Sequence, residues 1–299
     1  MTISRQNLTI VIVTFMSEDV IHNCIQSIPK EIKIVVVDNS RNNKFKESLE
    51  KKYENIICIL SSGNIGMGAG NNLGLSNVKT DYALILNPDV TIDENTIDEL
   101  LSASKTVENF SVMAPLVKSD KNLNYKLFDK KEYISNQSKI FKVKSVDGFA
   151  MLLNLKKLLK LNKFKKYKLF DENIFLYLEN DDLCTRLNNI NENIYIASKA
   201  RVSHIGGGAV NKEYSYQIEL SRNWHWVWSK FYFNKKHKGY FTALIILFPT
   251  FLSAILKYLF YSICKNKKKK DIYLHRALGY INALLGKKSS YRPEIKIDF

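Results

Sequence analysis

The most informative stretch of the chain is Tyr82-Ala83-Leu84-Ile85-Leu86-Asn87-Pro88-Asp89, an apolar run of strand length that ends in an amide, a proline and a carboxylate. Such a nearly uninterrupted apolar run is typical of a strand that is buried on both faces of a parallel sheet. Because proline cannot donate a hydrogen bond to a neighbouring strand, the strand is predicted to cover residues 82–86. The residues that follow then lie at its carboxyl end.

Similar apolar runs alternate with helix-like stretches on both sides of this one. Further strands are predicted at 8–15, 32–37, 56–60 and 112–117, and helices at 18–28, 43–52, 68–77 and 94–107. This alternation predicts right-handed βαβ units around a mostly parallel central sheet, and therefore an α/β fold. Later signals predict a loop at 118–144 that could cover an active site, a strand at 146–153, a helix at 180–189, and two short strands or one bent strand at 194–204.

Polar residues follow the predicted strands and are candidates for holding a nucleotide, because ligands of open α/β sheets bind beyond the carboxyl ends of the strands. A carboxylate such as that of Asp38 can accept hydrogen bonds from a base or a ribose, and amides and glycines can line a polar pocket. The candidates are Thr14, Asp38, Asn39, Asn64, Gly66, Asn71, Asn87 and Asp89.

The glycine-rich stretch 63–71 matches neither of the common phosphate-binding motifs. Asn71 stands where the third glycine of GxGxxG would fall after Gly66 and Gly68, and no GK[ST] sequence of a P-loop is present. These glycines therefore either approach a ligand or serve only the backbone conformation.

Asp89 is the strongest candidate for a charged ligand. Burying a carboxylate costs several kcal/mol unless a cation or hydrogen bonds compensate, and Mg²⁺ or Mn²⁺ prefers such oxygen ligands. The alternative is a turn in which Asp89 caps the next helix. His204, which precedes Gly206, is a second candidate metal or phosphate ligand, although a lone histidine is more often structural.

Three carboxylates, Glu179, Asp181 and Asp182, follow an apolar and aromatic stretch. Like charges this close should raise the pKa of one of them, which suits a general base that deprotonates an acceptor hydroxyl. An acidic helix N-terminus, favoured by the helix dipole, is the alternative.

The formal net charge is +16, from 45 Lys and Arg against 29 Asp and Glu. Lysines are dense in 118–168 and 230–270, around an acidic centre at 78–109, and no nucleic-acid-binding motif accompanies them, so we expect no nucleic acid as a partner. Four cysteines without a CxxC pair argue against a zinc site and for buried thiols in a reducing compartment.

The C-terminal part, 216–299, is aromatic, apolar and basic, and it is predicted to be a helical membrane-associating region appended to a domain at 1–215. The apolar run 240–264 is long enough to span a bilayer, but its flanking Trp, Tyr and Lys clusters also suit a helix in the interface plane. A buried core helix is the third possibility. We expect the protein at the cytoplasmic face of the cytoplasmic membrane.

The order of these motifs resembles bacterial members of glycosyltransferase family 2, especially rhamnosyltransferase-like enzymes of surface-polysaccharide synthesis. The resemblance covers roughly residues 8–215, through pieces that are weak singly but specific in this order. They are 11–15, Val37-Asp38-Asn39-Ser40, Asn64-Ile65-Gly66 with 70–72, Asn87-Pro88-Asp89, Asp147-Gly148-Phe149-Ala150, 175–186 and His204-Ile205-Gly206-Gly207.

The resemblance implies a GT-A fold, a divalent metal, and inverting transfer of a sugar from a nucleoside-diphosphate sugar to a glycan or lipid-linked glycan acceptor. It implies Thr14 and Asp38 near the base of the nucleotide, Asp89 on the metal and the diphosphate, and His204 completing the site. The family's Asp-x-Asp motif here begins with Asn87, and its usual base falls on Asn180. Glu179 or Asp181 is therefore expected as the base, with Asp182 as a supporting carboxylate.

Two other functions fit parts of the sequence. A sugar nucleotidylyltransferase also binds nucleotides at strand ends, but a lysine-bearing glycine loop after the first strand is missing. A non-catalytic membrane-associated scaffold that binds nucleotide sugars would fit the basic tail and the two asparagines at expected acidic positions.

Overall fold

The computed structural model describes residues 3–107, 109–119, 123–129, 139–161, 164, 167–206 and 214–292. The chain divides into two compact units. The first contains 1–170 and 180–211, and the second contains 171–179 and 212–299. Much of the loop predicted at 118–144 and the glycines at 207 and 208 lie outside the described residues.

The first half of the sheet is parallel, as predicted, and its order is β3-β2-β1-β4. These strands alternate with helices in the chain, and their ends lie within two residues of the predicted ones. They are β1 (Leu8–Thr14), α1 (Glu18–Gln26), β2 (Lys33–Asp38), α2 (Asn43–Lys52), β3 (Ile56–Leu60), α3 (Met67–Ser76) and β4 (Tyr82–Leu86).

The sheet continues beyond β4 in the order β10-β6-β11-β5, with β8 paired to β11. In this half β6 and β11 are parallel, whereas β10 runs antiparallel to β4 and β6, and β11 runs antiparallel to β5 and β8. The elements are β5 (Val90–Ile92), α4 (Thr96–Thr106), β6 (Val112–Val117), β7 (Tyr125–Lys126), β8 (Ile140–Lys142), β9 (Ser145–Val146), β10 (Ala150–Asn154), α5 (Leu155–Leu158), α6 (Glu179–Asn188) and β11 (Ile194–His204).

One of these strands differs from the predicted one, and the stretch 194–204 takes one of its two predicted forms. The strand expected at 146–153 is divided by the turn Asp147-Gly148-Phe149 into β9, which pairs with β7, and β10, which joins the main sheet. The stretch 194–204 forms one bent strand, whose pairing with β6 shifts register between Ala197 and Arg201. The turn and the bend both lie close to the candidate site described below.

The glycines of α3 have a packing function. A Cβ atom at Gly70 would lie 2.7 Å from Val13 Cγ1, and one at Gly74 would collide with Val11 Cγ1. Only residues without a side chain let α3 approach β1 this closely, which supports the conformational interpretation for these two positions.

The described residues of the second unit form the helices α7 (Ser215–Lys238), α8 (Tyr240–Ile263) and α9 (Lys267–Leu284). Trp224, Phe231, Leu247 and Tyr280 belong to its core. Gly279 lets the backbone of α9 pack directly against the Trp224 carbonyl group. These three helices thus share an apolar core of their own.

Most of α8 is not part of that core. Ala243, Leu247 and Ala254 are buried, while a row of large apolar side chains on the opposite face is exposed. By length and composition, α8 could cross a membrane, and only 17% of its most apolar window is buried. Cys264, after this helix, is exposed, so the expectation of a buried thiol was wrong there, while the other three cysteines are buried.

Candidate active site

Asp89 and His204 meet at the carboxyl edge of the sheet. His204 Nε2 lies 3.3 Å from Asp89 Oδ1, and the Asp89 side chain is only 2% exposed. The histidine ring stacks on Phe149, with 4.3 Å between the ring centroids. The structure therefore brings together the two residues that the sequence predicts as metal ligands.

The short strand β5 explains how these two residues meet. It follows Asp89 directly and pairs with the end of β11, so that Val90 lies opposite His204. The backbone N–H of Ile205 also donates to the Asp89 carbonyl, at 3.3 Å. On the other side, the backbone N–H of Asn87 donates to the Phe149 carbonyl, at 2.9 Å. The turn Asn87-Pro88-Asp89 is thus fixed by main-chain contacts on both sides.

The charge of Asp89 is poorly compensated by the protein. Its Oδ1 atom is buried and accepts no hydrogen bond from any residue that the structure describes, although His204 lies at ion-pair distance. Burial and then the negative charge of Asp89 raise the pKa of the neighbouring Cys24 thiol to about 12. A buried carboxylate oxygen without a donor is where a cation would be most favourable, so Asp89 and His204 fit a divalent ion.

The protein alone does not complete such a site. Among the described residues, no group of three or more His, Cys, Asp or Glu side chains is arranged to hold a metal. Asp89 and His204 would therefore supply at most two ligands, and the remaining ones would have to come from a bound diphosphate and water.

Thr14 and Asp38 lie side by side at the ends of β1 and β2. The Thr14 hydroxyl donates to Asp38 Oδ1 at 3.2 Å, and the backbone N–H groups of Ser40 and Asn42 donate to the same carboxylate at 3.0 and 2.8 Å. Asp38 is almost fully buried. The Asp38 carboxylate therefore fixes the backbone of the loop after β2. It also lies at the carboxyl edge of the sheet, where the sequence predicts the nucleotide.

The remaining donor-side candidates surround the N-terminus of α3. Asn39 Nδ2 donates to the Gly66 carbonyl at 3.2 Å, and Gly66 has a positive φ of 87° where the helix begins. The side-chain oxygens of Asn39 and Asn71 are buried, and no donor reaches them from the described part of the chain. Asn64 is partly buried in the preceding loop. Two orphaned amide oxygens near a helix N-terminus indicate a site that can accept donors from a ligand.

The three predicted carboxylates near α6 have different surroundings. Asp181 forms an ion pair with Lys126, at 2.7 Å. Asp182 is completely buried and pairs with Arg186 Nε, at 2.7 Å, which gives it a structural contact within the helix. Glu179 begins α6 but belongs to the second compact unit. Asp181 and Asp182 therefore have separate ion-pair partners and do not share one site.

Asp147 is a functional candidate that the sequence did not single out, although it is part of a motif that carries the resemblance. Asp147 is exposed by surface area, yet desolvation by the surrounding protein and then the Asp181 carboxylate raise its pKa, while Lys126 and His204 act in the opposite direction. Asn180, where the usual base was expected, donates from Nδ2 to the Val146 carbonyl at 2.7 Å and packs under Gly148. Asn180 thus holds the turn that carries Asp147.

Two curated relatives of this chain are named as glycosyltransferases. The hexosyltransferase Agl10 of low-salt glycan biosynthesis in Haloferax volcanii is 27% identical over 266 residues, covering 81% of this chain and 81% of that protein. The rhamnosyltransferase WbbL of Escherichia coli is 29% identical over 208 residues, covering 60% of this chain and 75% of that protein.

The fold is also found in a solved structure. Residues 1–349 of S. aureus TarS in complex with UDP superpose with a TM-score of 0.51 at 14% identity, covering 97% of this chain and 94% of that one. This likeness confirms the predicted GT-A fold. The model of glycosyl transferase family 2 matches residues 9–162, more than half of the chain. The chain therefore belongs to glycosyltransferase family 2.

Proposed function

We propose that the protein transfers a sugar, with inversion, from a nucleoside-diphosphate sugar to a glycan or lipid-linked glycan acceptor in cell-surface polysaccharide synthesis. The observation that carries the proposal is the buried Asp89 carboxylate, which has an unsatisfied oxygen and His204 beside it at the carboxyl edge of the sheet. The names of the two relatives favour a hexose or a deoxyhexose such as rhamnose as the sugar.

Asp89 and His204 would hold Mg²⁺ or Mn²⁺, which, when bound, supplies charge compensation for the departing diphosphate. Thr14, Asp38 and Asn39 would bind the nucleotide. Further contacts to the donor would come from Asn64 and Gly66 in the loop before α3, from Asn71 in α3, and from Asn87 after β4. A dTDP-deoxysugar is our first candidate donor, and a UDP-sugar is the second, since a structural neighbour binds UDP.

The acceptor hydroxyl must lose its proton as its oxygen attacks the anomeric carbon and the bond to the diphosphate breaks. The candidates for the base are Asp147, Asp181 and Glu179. A raised pKa brings a carboxylate closer to the range in which a base works well, which favours Asp147. Asp181, paired with Lys126, would tune the charge beside it, and Asp182 would support the helix through Arg186.

The donor assignment can be tested by a thermal-shift screen of nucleoside diphosphates. Because a ligand that binds only the native state raises the melting temperature with its concentration, dTDP or UDP should raise it by several degrees in the presence of Mn²⁺. We expect a smaller rise without the metal and little effect from the corresponding nucleosides. No response to any nucleoside diphosphate would contradict the proposed function.

We further propose that 216–299 associates with the cytoplasmic membrane surface, with α8 lying in the interface plane. Its inner face packs in the second unit, while Phe241, Ile245 and Leu252 on the other face are exposed. Nearby lysines, among them those at 267–270, would gain about 1 kcal/mol each beside an anionic leaflet.

Vesicle flotation tests this association. The protein should co-float with vesicles of phosphatidylcholine and phosphatidylglycerol, and Ile245→Glu together with Leu252→Glu should reduce the bound fraction at least tenfold, since each buried apolar side chain contributes roughly 1.5–3 kcal/mol. The control is Ile57→Glu, which changes an exposed apolar residue of the first unit. Equal losses in both variants, or no flotation of the wild type, would refute the membrane assignment.

A further inference from the structure

The second unit contains a cavity of about 360 Å³ that the proposed chemistry does not use. It lies beside the C-terminal ends of α7 and α9, and the segment 171–179 contributes to its wall. Its lining combines aromatic and basic side chains, chiefly Trp228, Tyr232, Lys235, Lys287, Lys288 and Arg292.

The wall formed by the turn after α9 is held firmly in place. Trp228 Nε1 donates to the Lys287 carbonyl at 3.0 Å, and Gly286 takes a positive φ of 70° before it. His225 Nε2 donates to the Tyr291 carbonyl at 2.9 Å, which leaves Nδ1 to accept from the Ser289 hydroxyl, also at 2.9 Å. Burial lowers the pKa of His225 to about 3, so this anchor stays neutral. Hydrogen bonds to buried side chains of α7 therefore fix the wall of the cavity.

The cavity carries an excess of positive charge. Four cationic side chains line it, Lys235, Lys287, Lys288 and Arg292, against the one carboxylate of Glu172 among the lining residues. The guanidinium group of Arg292 lies 3.5 Å from the Phe175 ring centroid, and desolvation lowers its pKa to about 10. A desolvated cation beside three lysines favours an anionic ligand.

Apolar surface continues from this cavity. Lys235 Nζ lies 5.7 Å from the ring centroid of Tyr240, the first residue of α8, and the Tyr240 hydroxyl is 3.5 Å from the Leu284 carbonyl oxygen. The adjacent Phe241 and Leu285 are 76% and 63% exposed. An anion bound in the cavity could therefore carry an apolar chain along the exposed side of α8.

We infer that this cavity binds the diphosphate group of a membrane-borne lipid, with the lysines and Arg292 around the phosphates and the lipid chain along the exposed apolar residues of α8. The inference rests on the proposed function only for the identity of the lipid, which would be the carrier of the acceptor glycan. The binding of a lipid diphosphate can be measured without any sugar transfer.

Calorimetric titration with farnesyl diphosphate, a short prenyl diphosphate, tests the inference in the absence of nucleotide and metal. We expect saturable binding that Lys287→Gln with Lys288→Gln weakens at least tenfold. The matched control is Lys51→Gln with Lys52→Gln, which removes two adjacent, exposed lysine charges from the last turn of α2 in the first unit and should change the affinity less than twofold. Lys287→Arg together with Lys288→Arg keeps both positive charges and should bind farnesyl diphosphate with an affinity within threefold of the wild type.

Competition with inorganic pyrophosphate distinguishes a lipid-linked diphosphate from a diphosphate without a lipid chain as the ligand. Pyrophosphate should bind at least tenfold more weakly than farnesyl diphosphate if the apolar residues contribute. Equal affinity for the two compounds would overturn the assignment to a lipid. Equal weakening by the two lysine pairs, or no saturable binding by the folded wild-type protein, would overturn the site itself.

Discussion

Replacing Asp89 by asparagine is expected to lower the rate of sugar transfer by on the order of a thousandfold, while the protein stays folded. Asparagine keeps the shape of the side chain but removes the charge that would bind the cation and, through it, the diphosphate. The rate should be measured with labelled donor and a lipid or glycan acceptor, and folding by circular dichroism.

The matched control for this variant is Asp93→Asn, which lies three residues before the start of α4. Asp93 is exposed enough to lose its ion pair with Lys118, at 2.8 Å, with little effect. Because Asp89 has a buried oxygen without a hydrogen bond, its replacement should not lower the melting temperature of the ligand-free protein. Wild-type turnover in Asp89→Asn would remove the role assigned to this carboxylate.

Replacing Asp147 by asparagine should reduce kcat by roughly a hundredfold or more, because a general base contributes about 10²–10⁴-fold. The KM for the donor should change little, since the proposed donor residues lie elsewhere. In the wild type, the rate should be full above the pKa of Asp147 and fall as the pH drops through it, because the protonated acid cannot accept a proton. Because the pKa of Asp147 is raised, the acidic limb should lie at higher pH than an ordinary aspartate would give, and the variant should lack this limb.

Asp181→Asn is the comparison that separates the two carboxylates. Because Asp181 is paired with Lys126, its loss should lower the rate less than the loss of Asp147 and shift the acidic limb to lower pH, since a neighbouring negative charge is removed. A larger loss in Asp181→Asn than in Asp147→Asn would transfer the role of base to Asp181.

The strongly apolar parts of the fold could be predicted because their pattern is local. The runs that became β1, β2 and β4 are almost wholly buried, so hydrophobic residues alone marked them. The run of β3 is equally apolar in sequence, although Ile57 is exposed in the structure. The three-residue strand β5 is too short to show a period. Its pairing with β11 depends on residues more than a hundred positions apart, and this pairing is what brings His204 to Asp89.

The candidate site was harder to predict than the sheet, because sequence neighbours need not be spatial neighbours. Asp181 and Asp182 are adjacent in the chain, but successive residues of a helix point in different directions, so one meets Lys126 and the other Arg186. The pKa of Asp147 is raised by desolvation from the surrounding protein and by the charge of Asp181, which α6 contributes. Neither effect is visible in the local sequence.

The central claim is that Asp89 binds the donor diphosphate through a divalent cation. Its most direct test is calorimetric titration of dTDP and UDP into the wild type and Asp89→Asn, each with and without Mn²⁺. The account predicts that Mn²⁺ strengthens binding of at least one nucleotide to the wild type by tenfold or more and has no such effect on the variant. An equal metal effect in both proteins, or none in the wild type, would contradict it.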